Sequence, residues 1–339
     1  MFIIGIDPHK RSHTAAVIEG DEHVRDTVRV IADGTQQERL LDWATDYTPR
    51  TWAIEGASGL GSLLAQQLVR AGESVVDVPP ALSARARYLD SGRSDKSDPH
   101  DARSAAIVAL RHHHLRVVHA DDDFQVLRMF AVRHHQLTAG RTRAVCRLHA
   151  IVALMVEGGL AKKASYRRAI TALEEITPVS PVDVERHRYA YEFVEEVHRH
   201  DTALSELRAR IVTAVDASGS TVTDVFGVGP IVAAYLIGHS GDVHRFASKG
   251  HYARYCATAP IQASSGPVKR HRLNPAGNRQ LNHAIHMAAV TQIAHDTPGR
   301  VYYQRKLAEG KSKKEAMRCL KRRITDVIYA RLQADANQS

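Results

Sequence analysis

An α/β front followed by an all-α rear is the fold class that this 339-residue sequence predicts. Three observations predict it. Short apolar runs closed by acids or turn residues fill the first 80 positions. Long proline-free stretches with helical spacing occupy 124–158 and 182–217. The charge also changes sign along the chain: residues 1–100 hold 11 Lys/Arg and 15 Asp/Glu, a net of −4, and residues 101–339 hold 35 and 22, a net of +13.

The elements follow in order. Phe2–Ile6 is an apolar strand ended by Asp7. His13–Glu19 and His23–Val30 read as two more strands across the turn Gly20–Asp21–Glu22. Gln36–Tyr47 carries Leu40, Leu41, Trp43 and Ala44 as a helical stripe. Thr51–Ile54 is a strand ended by Glu55, Gly61–Ala71 a helix stopped by Gly72, and Ser74–Val78 a strand ended by Pro79–Pro80. Three leading strands exclude a dinucleotide-binding fold, which begins strand-helix-strand; β-β-β-α-β-α-β is the ribonuclease H-like order. Helices are expected over 81–92 and 99–113.

The two long amphipathic stretches predict an antiparallel coiled-coil hairpin. Beyond it, Gly227–Val228–Gly229–Pro230 followed by apolar Ile231–Gly238 suggests a helix-hairpin-helix. Arg279–Ala294 reads as a buried helix, and Ser312–Lys313–Lys314–Glu315 as a capping box opening a basic last helix. The expected domains are 1–115, 116–220 and 221–339.

Net charge is +9, with the excess in the rear, which points to a polyanionic partner. No apolar stretch approaches the roughly 18 residues of a membrane span. Cys146, Cys256 and Cys319 are odd in number and far apart, so a reducing cytoplasm is expected and neither disulfides nor a zinc site is. The 21 histidines are scattered and read as solvated groups or phosphate contacts.

Four carboxylates carry the front's chemistry. Asp7 and Glu55 end strands that a ribonuclease H-like sheet sets side by side, and Asp98 and Asp101 share one face of a helix start. Converging acids repel, and a hard cation such as Mg²⁺ removes that penalty. Two such ions can clamp the entering and leaving oxygens of a phosphodiester. In the rear, Ala259–Pro260–Ile261–Gln262–Ala263–Ser264–Ser265–Gly266 offers an approachable serine near Lys269, Arg270, His271 and Arg272. Such a serine can attack phosphorus, and the cations can hold the phosphate. Backbone N–H groups at Gly227 and Gly229, with Arg318, Lys321, Arg322 and Arg323, are further candidate contacts to nucleic acid.

The runs Ile4–Gly5–Ile6–Asp7, Ala53–Ile54–Glu55–Gly56 and Lys96–Ser97–Asp98–Pro99–His100–Asp101–Ala102–Arg103 resemble the Asp-Glu-Asp-Asp core of the Piv-like insertion-sequence transposases, the bridge-RNA-guided recombinases of bacteria. Phe226–Gly227–Val228–Gly229–Pro230, Ala259–Pro260, Ser265–Gly266 and Asn274–Pro275–Ala276–Gly277–Asn278 resemble that family's C-terminal transposase domain. The resemblance implies a RuvC-like front with Asp7, Glu55, Asp98 and Asp101 as Mg²⁺ ligands, and Ser265 as a nucleophile that joins covalently to DNA. It also implies composite sites between subunits, a coiled coil over 124–217 that drives oligomerisation as a dimer and a synaptic tetramer, and a bridge RNA pairing with donor and target DNA. Where the family often has Tyr-Glu-Ser-Gly, this chain has Ala263–Ser264–Ser265–Gly266; the glycine selects Ser265, with Ser264 as the rival. Pro8–His9 is not part of the matched pattern.

Three other readings remain open. A RuvC-like junction nuclease would need the four acids but no covalent serine. A sugar kinase or actin-like ATPase would share Gly5–Ile6–Asp7 but need a second glycine-rich copy, which the sequence lacks. A non-enzymatic binding protein would use the basic helices alone.

Overall fold

The computed structural model describes residues 1–91, 98–112, 114–161, 166–262, 271–272, 274 and 277–338. The chain divides into two compact units, Met1–Asp121 and Asp122–Ser339. The first is mixed α/β and the second is helical.

The front unit runs β1 (Phe2–Pro8), β2 (Ser12–Ile18), β3 (Val24–Ile31), α1 (Gln36–Trp43), β4 (Arg50–Glu55), α2 (Ser62–Arg70), β5 (Val75–Val78), α3 (Pro80–Ser91), α4 (Asp98–Arg111) and β6 (Arg116–Val117). The sheet order is β3-β2-β1-β4-β5-β6. β1, β2 and β3 form an antiparallel meander, while β4 lies parallel to β1 and β5 parallel to β4. The adjacency of β1 and β4 is the ribonuclease H-like arrangement. Alternation sorts the side chains between two faces. Ile4, Ile6, Trp52 and Ile54 pack with Leu40 of α1 and with Leu64 and Leu68 of α2. Ile3, Ala53 and Val78 pack with Ala105 and Ala106 of α4 on the other face. Cover on both sides explains why all seven residues of β2 are buried. At the margin, Arg50 donates to both oxygens of Glu73 at 2.5 and 2.9 Å, and the Trp52 indole N–H donates to Glu73 at 2.7 Å.

The rear unit runs α5 (Asp123–Val152), α6 (Tyr166–Glu174), α7 (Pro181–Ala217), α8 (Pro230–Ser240), α9 (Lys249–Tyr255), β7 (Ile261–Gln262), β8 (His271–Arg272), α10 (Arg279–Ala294), α11 (Pro298–Ala308) and α12 (Lys313–Ala336). Helices α5 and α7 are the two long stretches read from periodicity, and they pack on each other. Their bases enter the main core: Leu127, Leu137, Leu207 and Ile211 join Leu236 of α8, Ile285 of α10 and Ile328 of α12. At the other end Leu148, Val152, Leu173 and Val194 form a separate cluster, which brings in α6. Ser180 caps α7 with Pro181 at its first turn. The capping box at Ser312 and Glu315 opens α12 with both reciprocal bonds. Among the described residues, no helix is long and apolar enough to cross a membrane.

Candidate functional site

Glycine 5 sets the geometry of the front. Gly5 and Asp7 lie on the same face of β1, being two residues apart. A Cβ on Gly5 would collide with the Ala102 carbonyl oxygen and with Ala106, so only glycine lets α4 lie this close to the strand. That approach brings the first turn of α4, with Asp98 and Asp101, to the end of β1. Helix dipoles favour acids at that position.

The Asp7 Oδ1 lies 3.6 Å from His9 Nδ1, and His9 Nε2 lies 3.3 Å from Asp98 Oδ1. Each of the three offers a ligand atom within 4.8 Å of the others, which makes them a group able to hold a metal ion. Two anionic oxygens and one imidazole nitrogen suit a divalent cation that tolerates both donor types. Asp7 is only 7% exposed, and Asp98 is half-buried. Arg29, whose guanidinium donates to the Ser12 hydroxyl at 3.1 Å, approaches Asp98 at 3.8 Å.

The other two acids take different positions. Gly5 pairs with Ala53 and Ile6 with Ile54, so Glu55 follows in step with Asp7 at the end of the neighbouring strand, on the α4 face. Asp101 is 2% exposed and ion-paired with Arg87 of α3. The structure thus gathers Asp7 and Asp98 around His9, aligns Glu55 beside them, and holds Asp101 one turn along on a cation. His9 was missed from sequence. Its spacing of two from Asp7, which returns a side chain to the same face of an extended chain, was the available signal.

In the rear unit, Gly227 has φ of +85°. A Cβ there would stand 2.8 Å from the Ala288 carbonyl oxygen of α10, so this glycine meets a packing demand. Gly229 is exposed and is the N-cap residue of α8, with Pro230 at the first position. What precedes the turn is the 3₁₀ turn Thr221–Asp224. Strands β7 and β8 pair Ile261 with Arg272 and Gln262 with His271. Ser264, Ser265, Lys269 and Arg270, in the connection between those strands, lie outside the described residues. Arg272 is placed on β8.

Asparagines anchor the segment after β8. Asn274 is buried and donates to the Arg254 carbonyl at 3.1 Å, and Asn278 caps α10. Asn282 donates to the Ala257 carbonyl at 2.7 Å and accepts from Lys321 at 2.7 Å. Burial, aided by the nearby Arg279, pushes the Lys321 ammonium down to about 8. Arg318 is exposed. Arg323 is also exposed, with its guanidinium over the Tyr302 ring, and Arg322 pairs with Asp326 at 3.1 Å.

Comparisons with known proteins reach both units. A model described as a transposase, of the DEDD IS110 type, matches residues 4–156. A model of the transposase IS116/IS110/IS902 family matches residues 219–304. The insertion element IS900 uncharacterized 42 kDa protein of Mycobacterium paratuberculosis is 27% identical, over 98% of this chain and 96% of that one. The insertion element IS116 uncharacterized 44.8 kDa protein of Streptomyces clavuligerus is 23% identical, over 97% and 94%. A probable family 20 transposase of Pseudomonas aeruginosa is 26% identical, over 79% and 76%. Among solved structures, T. thermophilus RuvC in complex with a Holliday junction substrate aligns with 35% of this chain and 99% of its own, at 16% identity and a TM-score of 0.28.

Proposed function

We propose that the chain is a transposase like those of the IS116/IS110/IS902 family that it resembles, and that it cuts and rejoins DNA through a phosphoserine link at Ser265, with Mg²⁺ and a guide RNA. The observation that carries this reading is the Asp7–His9–Asp98 group at the end of β1, with Glu55 in step on β4. Acids at a sheet edge, reached by a helix start, suit a divalent cation and a phosphodiester.

In this reading Asp7, Glu55, Asp98 and Asp101 hold the ion, with His9 beside them. Bound there, Mg²⁺ supplies charge neutralisation for phosphoryl transfer. Arg29 and Arg87 offset part of the mutual repulsion among the acids. Ser265 attacks the scissile phosphorus: an Oγ–P bond forms, the P–O bond to one side of the break opens, and the departing oxygen takes a proton. The hydroxyl of an exchanged strand then attacks the phosphoserine and releases the enzyme. The link conserves the phosphodiester, so rejoining needs no external energy source.

The remaining parts take their roles from the same reading. The acids of one subunit act with the serine of another, and α5 and α7 supply the oligomerisation surface for a dimer and a synaptic tetramer. A bridge RNA from the element's non-coding end selects donor and target DNA by base pairing, as in other guided systems. Lys269, Arg270, Arg272, Arg318, Lys321, Arg322 and Arg323, with the Gly227–Gly229 turn, contact phosphates.

The test is strand exchange by the full chain with the DNA of its element ends and the flanking non-coding RNA. Asp7→Ala is expected to lower Mg²⁺-dependent cleavage by about 10²–10³-fold, the range for losing transition-state charge stabilisation, with the circular dichroism of the fold retained. Ser265→Ala is expected to abolish protein–DNA adducts. Nicking that survives in Ser265→Ala without strand joining would overturn the covalent step in favour of a metal-dependent junction nuclease.

A further inference from the structure

A cavity of about 420 Å³ opens in the rear unit between α9, β7 and α12. Its lining includes Ser248, His251, Arg254, Pro260, Ile261 and Arg322, and among the described residues none that lines it is acidic. The size falls within the roughly 300–1,000 Å³ of small-ligand sites.

The two guanidiniums come from elements that packing holds in place. Arg254 is exposed at the last turn of α9, while its neighbours Tyr252 and Ala253 are fully buried. Its carbonyl accepts from Asn274 at 3.1 Å and from the Ala257 N–H at 3.1 Å. Arg322 stands on α12 between the buried Leu320 and Ile324. The Thr325 hydroxyl, on the next turn, donates to Thr258 at 2.9 Å and ties α12 to the segment that follows α9. Arg322 already pairs with Asp326, but the pair is half-exposed and weak in water, and a guanidinium has five N–H donors. Also in the lining, the Ser248 hydroxyl bonds the His251 ring at 3.0 Å.

Arg254 and Arg322 both line this one cavity, no described lining residue is a carboxylate, and the guanidinium fork suits a phosphate. The rear unit holds 32 Lys/Arg against 20 Asp/Glu, which favours a polyanion as the source of that phosphate. The cavity wall at Ile261 is β7, the strand that leads into the connection carrying Ser265. We propose that this cavity seats a backbone phosphate of the DNA strand to be cut, with Arg254 and Arg322 as its two principal contacts. The assignment to DNA rests on the transposase reading; the phosphate chemistry rests on the cavity.

The test is fluorescence anisotropy of the full chain with labelled element-end DNA, and separately with the flanking RNA, between 50 and 300 mM KCl (roughly the range over which phosphate contacts dominate affinity). For DNA, Arg254→Gln/Arg322→Gln is expected to weaken binding by at least about tenfold. It should also flatten the plot of log affinity against log salt by about 0.9, the contribution of the one phosphate that the two arginines neutralise. Arg254→Lys/Arg322→Lys should restore the slope but only part of the affinity, because lysine lacks the bidentate fork. Should the double variant fail to fold, the exposed Arg254→Gln carries the test, with weaker DNA binding and a slope change of up to about 0.9. Unchanged DNA affinity and slope would overturn the proposal. So would a change seen only with RNA, or inorganic phosphate that protects the cavity arginines from chemical modification while DNA does not. Ser265→Ala separates the two readings: it should bind DNA with the wild-type slope, so adducts that persist in it refute the covalent step and leave the phosphate seat standing.

Discussion

The two units handle charge in opposite ways. Residues 1–121 carry 14 Lys/Arg and 17 Asp/Glu, and residues 122–339 carry 32 and 20. The front concentrates acids at the ends of the central strands β1 and β4, where the start of α4 adds Asp98 to Asp7 and Glu55. The rear draws its cations from separate elements, as with Arg254 on α9 and Arg322 on α12. The difference teaches that strand pairing and one close helix–strand approach at Gly5 build the cation site, whereas a phosphate seat depends on how α12 packs against α9.

The sharpest way to break that contrast is at Gly5. Gly5→Ala drives a methyl group into backbone atoms of α4, which no side-chain rotation relieves. We expect a loss above the roughly 1–3 kcal/mol of ordinary overpacking, read as a lower melting temperature, together with loss of the acid group's metal binding. A variant that melts like wild type would show that α4 is not held against β1 as described.

Glu73 gives a smaller effect with a pH signature. Burial alone would raise its carboxyl, but the bonds from Arg50 and Trp52 outweigh that and hold it below its ordinary 4.5. A carboxyl lowered by folding stabilises the fold above its unfolded value, and that contribution is lost as pH falls through the folded value. Glu73→Gln should therefore cost on the order of 2–4 kcal/mol at neutral pH, since it breaks a largely buried pair. The gap from wild type should narrow below pH 4.5 in urea titrations. A gap that stays constant down to strong acid would contradict the assignment.

The rear's counterpart to Gly5 is Gly227. Gly227→Ala adds both a positive φ and contact with α10, and about 1–3 kcal/mol of destabilisation is expected in chemical denaturation. A second pH signature belongs to Lys321, whose slope has the same sign as that at Glu73 but lies at alkaline pH. Its folded value lies near 8, below its ordinary 10.5, so the unfolded chain binds more protons between those values and stability rises with pH there. Lys321→Met should remove that rise, as followed by thermal melts from pH 7 to 10. If the rise persists in the variant, another group titrates in that window.

Much of the front was legible because its strands are apolar runs closed by acids, and because β-strand pairing makes neighbours of Asp7 and Glu55. Helix α10 and the Ser312 capping box were legible for similar local reasons. What escaped was weakly patterned or non-local. Helix α11 has a Thr297 cap and Pro298 at its start, yet it buries no residue, so it shows no apolar stripe. Strand β6 has only two residues. Of the candidate site, the sequence predicts that the four acids converge, but the ion pair between Asp101 and Arg87 depends on α3 packing along α4. His9 needed the face on which the chain continues past β1, and the arginine cavity needed the packing of α12 against α9.

The most direct measurement is peptide mapping of the covalent intermediate. The full chain is reacted with its element-end DNA and guide RNA in Mg²⁺, digested, and the nucleotide-bearing peptide is sequenced by mass spectrometry. The expected product carries the nucleotide on Ser265 and disappears in Asp7→Ala. Strand exchange with no adduct, or an adduct on any other side chain, Ser264 included, would contradict the account.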